Sequence, residues 1–169
     1  IAEIGLPVDA YLPDEFMTGY ETKIREYQHL AKAISLSEVE AVIASLRDRF
    51  GVFPQAVENL AYVIRIRAKA TVLGIESITS YGDEMLLRFP KDLVVRRRII
   101  RDTVGRGMKL TRNGLSWSGF QNDSGWQAKL NALLDAIAER AATSSGRRPA
   151  LTGELVVNPS SEYYQQAEE

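Results

Sequence analysis

Seven cations fall within residues 96–112: Arg96, Arg97, Arg98, Arg101, Arg106, Lys109 and Arg112. Guanidinium groups at such density neutralise phosphates, which makes Arg96, Arg97, Arg98 and Arg101 the phosphate-contacting candidates. The same run lacks interleaved aromatics for base stacking, so a solvated or intramolecularly paired face is the competing reading. A second set, Ala41, Ser45, Asp48 and Arg49, recurs at spacings of three and four and shares one face of a helix. A small, flat face ending in an Asp-Arg pair suits docking to a partner; its bland counterpart is a solvated helix surface.

Catalytic chemistry finds less. None of the twelve glycines fits the G-x-x-x-x-G-K-[ST] loop that cradles nucleotide phosphates, and Gly105-Arg-Gly107 has Leu110 where a dinucleotide fingerprint needs a third glycine. One histidine and no cysteine rule out a Cys/His zinc site. That histidine, His29, has no partner in the sequence for general-base work. Asp14-Glu15 and Asp83-Glu84 lie beside turns, where solvated carboxylates are ordinary. No serine nucleophile elbow is present. The residues point to a non-enzymatic fragment with no cofactor and no bound metal.

Composition agrees with a folded domain. The chain has 169 residues, 45% hydrophobic and 25% charged, enough for one domain with its own core. No apolar run is long enough to span a bilayer, and no secretory segment opens the chain, so a cytoplasmic location is expected and the Asn122-Asp-Ser124 sequon reads as chance. A start at Ile1 suggests a piece of a longer polypeptide. The net charge of −1 names no partner, but its distribution is uneven. Residues 1–60 hold ten acidic and five basic residues, whereas residues 91–112 hold eight basic and two acidic.

The elements that must position these faces centre on residues 37–75. Val39, Val42, Ile43, Leu46 and Phe50 share one face of a first helix, with Ser37 and Glu40 as its capping box. Gly51 suits the residue that stops it, and Pro54 the first position of the next. That next helix is apolar on two neighbouring faces: Val57, Leu60, Ala61, Ile64, Ala68 and Val72 on one, Val63, Ile66, Ala70 and Leu73 on the other. Only Glu58, Tyr62, Arg65 and Lys69 form a polar stripe, so it belongs in the middle of a core.

Upstream, residues 4–13 carry two prolines and read as an edge strand at best. A helix follows, capped by Thr18 and Glu21, with Ile24, Tyr27, Leu30, Ala31 and Ile34 inward. Downstream, Ile75–Thr79 and Glu84–Phe89 read as strands, and residues 90–106 as a helix. Asn113-Gly114 marks a type I′ hairpin between residues 108–112 and 115–119. Asp123 or Ser124 caps a last helix. The expected fold is α+β: a helical hairpin and further helices packed on a small, mainly antiparallel sheet of about four strands. Residues 1–142 form the monomeric domain, residues 143–150 a linker, and residues 151–169 an acidic tail with at most one short strand at Glu154–Val157.

Leu46-Arg-Asp-Arg-Phe-Gly51, Pro54, Leu60 and Leu73-Gly-Ile75, with the upstream Leu12-Pro-Asp-Glu-Phe16 and Arg25-x-Tyr27, resemble the carboxy-terminal domain of bacterial transcription-repair coupling factors (Mfd). Order and spacing agree over residues 6–79. The resemblance implies a domain that follows the motor of an ATP-dependent DNA translocase. Such a translocase displaces RNA polymerase from lesions and recruits excision repair through UvrA. It implies, too, that the domain holds no ATP site, packs on an amino-terminal UvrB-like module of the same polypeptide, covers the UvrA-binding surface and restrains the motor. Carried onto this chain, the interdomain interface falls on Asp48 and Arg49, with Ser45 one turn earlier. Ser45 is shorter than the acidic residue the pattern leads one to expect there. Because Asp48 and Arg49 lie opposite the apolar stripe, their removal is expected to leave the fold intact.

Overall fold

The computed structural model describes the backbone of residues 1–151 and the side chains of residues 1–141. Among the described residues there are five α-helices and five strands, in the order β1 (Glu3–Gly5), α1 (Tyr20–Lys32), α2 (Leu36–Phe50), α3 (Gln55–Val72), β2 (Ser77–Tyr81), β3 (Glu84–Arg88), α4 (Arg97–Thr103), β4 (Met108–Thr111), β5 (Gly114–Ser118) and α5 (Trp126–Leu151). The strands form one sheet in the order β1-β2-β3-β5-β4. Every pairing is antiparallel except β1 with β2, which is parallel. The fold is α+β, with one more strand than the sequence suggested.

Period-two alternation builds the sheet's inner face. Ile78, Met85, Leu87, Leu115 and Trp117 are buried while their neighbours along each strand are more exposed. Against that face pack Val95, Ile100, Val104, Phe120, Trp126, Leu130, Leu133, Leu134 and Ile137 from the second half of the chain, and Ile66 and Ala70 of α3. A second core holds Leu12, Met17, Leu30, Val39, Ile43, Leu46 and Phe53 with Val57, Ala61, Ile64 and Ala68 of α3. The helix with two apolar faces therefore serves two cores, one on each face.

Its polar stripe closes the seams on either side. Arg65 donates from Nε and one Nη to the two carboxylate oxygens of Glu40 on α2, at 2.7 and 2.8 Å. Glu58 lies 3.4 Å from Arg47 of α2. On the α5 side, Lys69 Nζ is 2.8 Å from Asp135 and 2.7 Å from Asn131, and the Tyr62 hydroxyl donates to the Gln127 carbonyl at 2.8 Å. Arg67 donates to the Leu30 and Ala33 carbonyls at the end of α1, satisfying acceptors that a helix terminus leaves open.

Several local expectations shift. The capping box expected at Ser37 and Glu40 forms two residues earlier: Ser35 Oγ accepts from Glu38 N, and Glu38 accepts from Ser35 N. Glu40 is thereby left to pair with Arg65. The N-cap of α1 is Gly19, with no side-chain bond, in place of a Thr18–Glu21 box. Pro54 stands at the N-cap of α3, one residue ahead of the expected position. The helix expected over residues 90–106 is confined to Arg97–Thr103, because the β-branched Val94 and Val95 precede it and Val95 is drawn into the sheet-side core.

The last hairpin turns on Arg112 and Asn113, since Thr111 pairs with Gly114, and neither of the two has positive φ, so the turn is not type I′. Gly114 is needed inside the strand instead: a Cβ there would lie 1.8 Å from the Leu87 carbonyl oxygen. Residues 143–150 continue α5 where a linker was expected. The remaining tail, with the strand suggested at 154–157, lies outside the described residues.

Candidate functional site

The face of α2 is set by how the helix docks. Val39, Ile43 and Leu46 are buried against α3, which turns Ala41, Ser45, Asp48 and Arg49 outward, all exposed. Gly51 ends the helix with φ +89°, its N–H donating to Arg47 O at 2.9 Å. A side chain rarely adopts that conformation, so glycine fixes where the face stops. Phe50 and Phe53, on either side of the corner, pack on Phe16 with ring centroids 5.7 and 5.5 Å away.

Within this face the two charges differ in kind. Arg49 is committed inside the domain. Its Nη atoms donate to both oxygens of Glu26 on α1, at 2.9 and 2.7 Å, and its Nε donates to Ser45 Oγ at 3.1 Å. Glu26 is 1% exposed. Hydrogen bonds from Arg49 hold its carboxyl below the usual range against the opposing effect of burial, aided by Arg49's charge and by His29, whose Nδ1 is 3.5 Å away. The same pairing pushes the Arg49 guanidinium upward. Arg47, on the other side, stacks over Phe53 at 4.1 Å. Arg49 therefore ties α2 to α1 and Arg47 braces the α2–α3 corner, while Asp48 projects outward beside Ser45 and Ala41.

This bears on one expectation: removing Arg49 would strand the buried carboxylate of Glu26, so a cost in stability is expected where none was foreseen. Glu26 itself went unseen in the sequence. It sits among Lys23, Arg25 and Gln28 and looks like one more solvated charge. Yet the stripe α1 buries is Glu26, Leu30 and Ala33, while Ile24 and Tyr27 stay 38% and 39% exposed. The only sequence signal was the i, i+4 spacing of Glu26 with Leu30.

The arginine cluster divides. Arg96 is buried at the N-cap of α4. Arg97, Arg98 and Arg101 are exposed, with Arg101 Nε 3.9 Å from Asp102. The irregular run 90–96 and α4 form one wall of an open groove of ≈ 720 Å³, and the β4–β5 turn forms the other. Among the described residues the groove is lined by Lys91, Arg96, Arg97, Arg98, Arg101 and Arg112, and by no Asp or Glu. Arg106 and Lys109, members of the run in sequence, are not part of it, whereas Lys91, outside the sequence cluster, is.

His29 faces Glu26, a carboxylate already engaged by Arg49. Among the described residues no group of three or more His, Cys, Asp or Glu side chains is placed to hold a metal ion, and no helix is long and apolar enough to cross a membrane.

Comparison with known proteins gives one consistent answer. The TRCF domain model matches residues 6–98, beyond the stretch whose motifs were legible. The transcription-repair-coupling factor of Mycobacterium tuberculosis is 39% identical over 77 residues, 46% of this chain and 6% of that protein. The Staphylococcus epidermidis transcription-repair-coupling factor is 29% identical over 143 residues, 81% of this chain and 12% of that protein. The chain thus spans a small part of the curated relatives it matches. A crystal structure of the C-terminal domain of transcription-repair coupling factor superposes with a TM-score of 0.65 at 19% identity, covering 82% of this chain and 92% of that one.

Proposed function

The chain belongs to the TRCF domain family, and from that premise we propose that residues 1–142 act as a non-catalytic regulatory clamp on an ATP-dependent DNA translocase coupling transcription to nucleotide excision repair. The domain docks on the amino-terminal UvrB-like module of its own polypeptide, masks the UvrA-binding surface there and restrains the motor. RNA polymerase and DNA are reached through the parent protein.

The observation that carries this reading is the outer face of α2. Ala41 and Ser45 are small, Asp48 is exposed, and Arg49 offers its outward edge while its nitrogens hold Glu26. Ion pairs to α1 and α3 brace the helix, so the face is preorganised and little side-chain freedom is lost on docking. A polar face with few anchors also suits a contact that must be released.

Asp48→Ala in the full-length polypeptide is the test, because Asp48 bears no part of the fold. Losing a desolvated charged contact costs about 2–5 kcal/mol, roughly 30- to 5,000-fold in affinity. In an intramolecular clamp the loss appears as a population shift. UvrA binding and basal ATPase are expected to rise together without RNA polymerase. A folded variant that leaves both unchanged removes this face from the interface.

A further inference from the structure

We propose that the groove between α4 and the β4–β5 turn is a binding site for the phosphodiester backbone of a nucleic acid, read without regard to base sequence. Arg97 and Arg101 lie one helical turn apart on α4, Arg98 flanks them, and Arg112 lines the groove from the opposing hairpin turn, with Lys91 in the irregular run that leads from β3 to α4. All five are exposed. Among the described residues the lining contains no Asp or Glu, and Arg101 Nε lies 3.9 Å from the exposed Asp102 just outside it.

The hairpin wall is fixed in place. Phe89 N donates to Asn113 O at 2.7 Å, tying the end of β3 to the turn that carries Arg112. The floor is equally settled, since Phe89, Val95 and Arg96 are buried there. Two walls bearing guanidinium groups, held at a fixed separation, suit a ligand with regularly repeated anionic charge. A phosphodiester chain presents one such charge per nucleotide, and the planar guanidinium binds phosphate oxygens in a fork. Among the described residues no Phe, Tyr or Trp other than the buried Phe89 lines the groove, so it offers bases no stacking platform and the contact is to backbone.

The groove belongs to the sheet-side core and shares no residue with the α2 face, so this proposal stands or falls separately from the clamp. The test is fluorescence anisotropy of a labelled duplex and a labelled single strand, both of mixed sequence, titrated with the 169-residue chain. Four arginine–phosphate contacts on a duplex predict a slope of log K against log salt of about −3.6, a weakening of about 150-fold between about 50 and about 200 mM salt.

Arg97→Glu/Arg101→Glu/Arg112→Glu is expected to weaken binding at least about tenfold and flatten the salt slope, and the three Arg→Lys changes to keep most of both. These side chains are exposed, so circular dichroism should show both variants folded. Polyglutamate serves as the acidic-polypeptide probe. Binding of either nucleic acid that follows this pattern supports the site. Absence of binding up to about 100 µM, the weak end of non-specific affinity, overturns it. So does binding indifferent to the Arg→Glu changes, or polyglutamate held more tightly than both nucleic acids.

Discussion

Arg49 combines two positions that the sequence kept apart: an exposed face and a buried partner. Because Glu26 is almost wholly enclosed, Arg49→Ala should lower stability by about 3 kcal/mol, the lower end of the range for stranding a buried charge, since Arg49 itself is partly solvated. Urea denaturation measures it, and Asp48→Ala should remain within about 0.5 kcal/mol of the parent, as surface substitutions do. The pair also carries a pH signature. The folded carboxyl of Glu26 titrates below its ordinary value of 4.5. Its contribution is therefore fully present above that value and lost as pH falls through the folded one. Stability of the parent should decline below about pH 4.5, and that of Glu26→Gln should decline less over the same interval. At this scale the sequence was least legible. The outward position of Asp48 followed from helical spacing, but a partner twenty-three residues away in another helix leaves no periodic trace.

At the scale of elements, the α2–α3 hairpin was the most legible part, because strongly apolar faces, Gly51 and Pro54 all agreed. The hydrophobic pattern even announced that α3 would be enclosed, though not that it would lie between two cores. Ile64 faces one of them at 5% exposure, whereas Leu60 is only partly buried. Ile64→Ala should therefore cost about 2–5 kcal/mol and Leu60→Ala noticeably less, about 1–2 kcal/mol, by chemical denaturation. Short elements were read less well. Residues 90–96 were read as helix, yet the β-branched Val94 and Val95 and the burial of Val95 on the sheet hold them out of α4. Gly114 looked like a turn glycine, whereas the close passage of β3 is what demands it. Gly114→Ala should separate β3 from β5 and cause loss of cooperative thermal unfolding, in contrast to a substitution at the exposed Asn113, which should change the midpoint little.

For the whole molecule, the acidic first third and the basic stretch 91–112 become two separate surfaces, one on the helical half and one beside the sheet. If the clamp uses the α2 face, Arg97→Glu/Arg98→Glu in the full-length polypeptide should leave UvrA binding and basal ATPase unchanged. A rise in both would put the interface at the groove. The family resemblance carried this division further than physics alone could, since composition gave the basic run and the α2 face equal standing.

The position of α3 between two cores sets how the molecule opens. Neither the helical half nor the sheet half can come apart entirely without exposing one side of the same helix, so their losses of structure are coupled. Amide hydrogens near the middle of α3, around Ile64 and Ile66, should be the slowest to exchange with solvent. Their exchange should report the same opening free energy as amides in β3 and in α2, so that deuterium uptake resolves one cooperative unit where the two cores, counted separately, would suggest two.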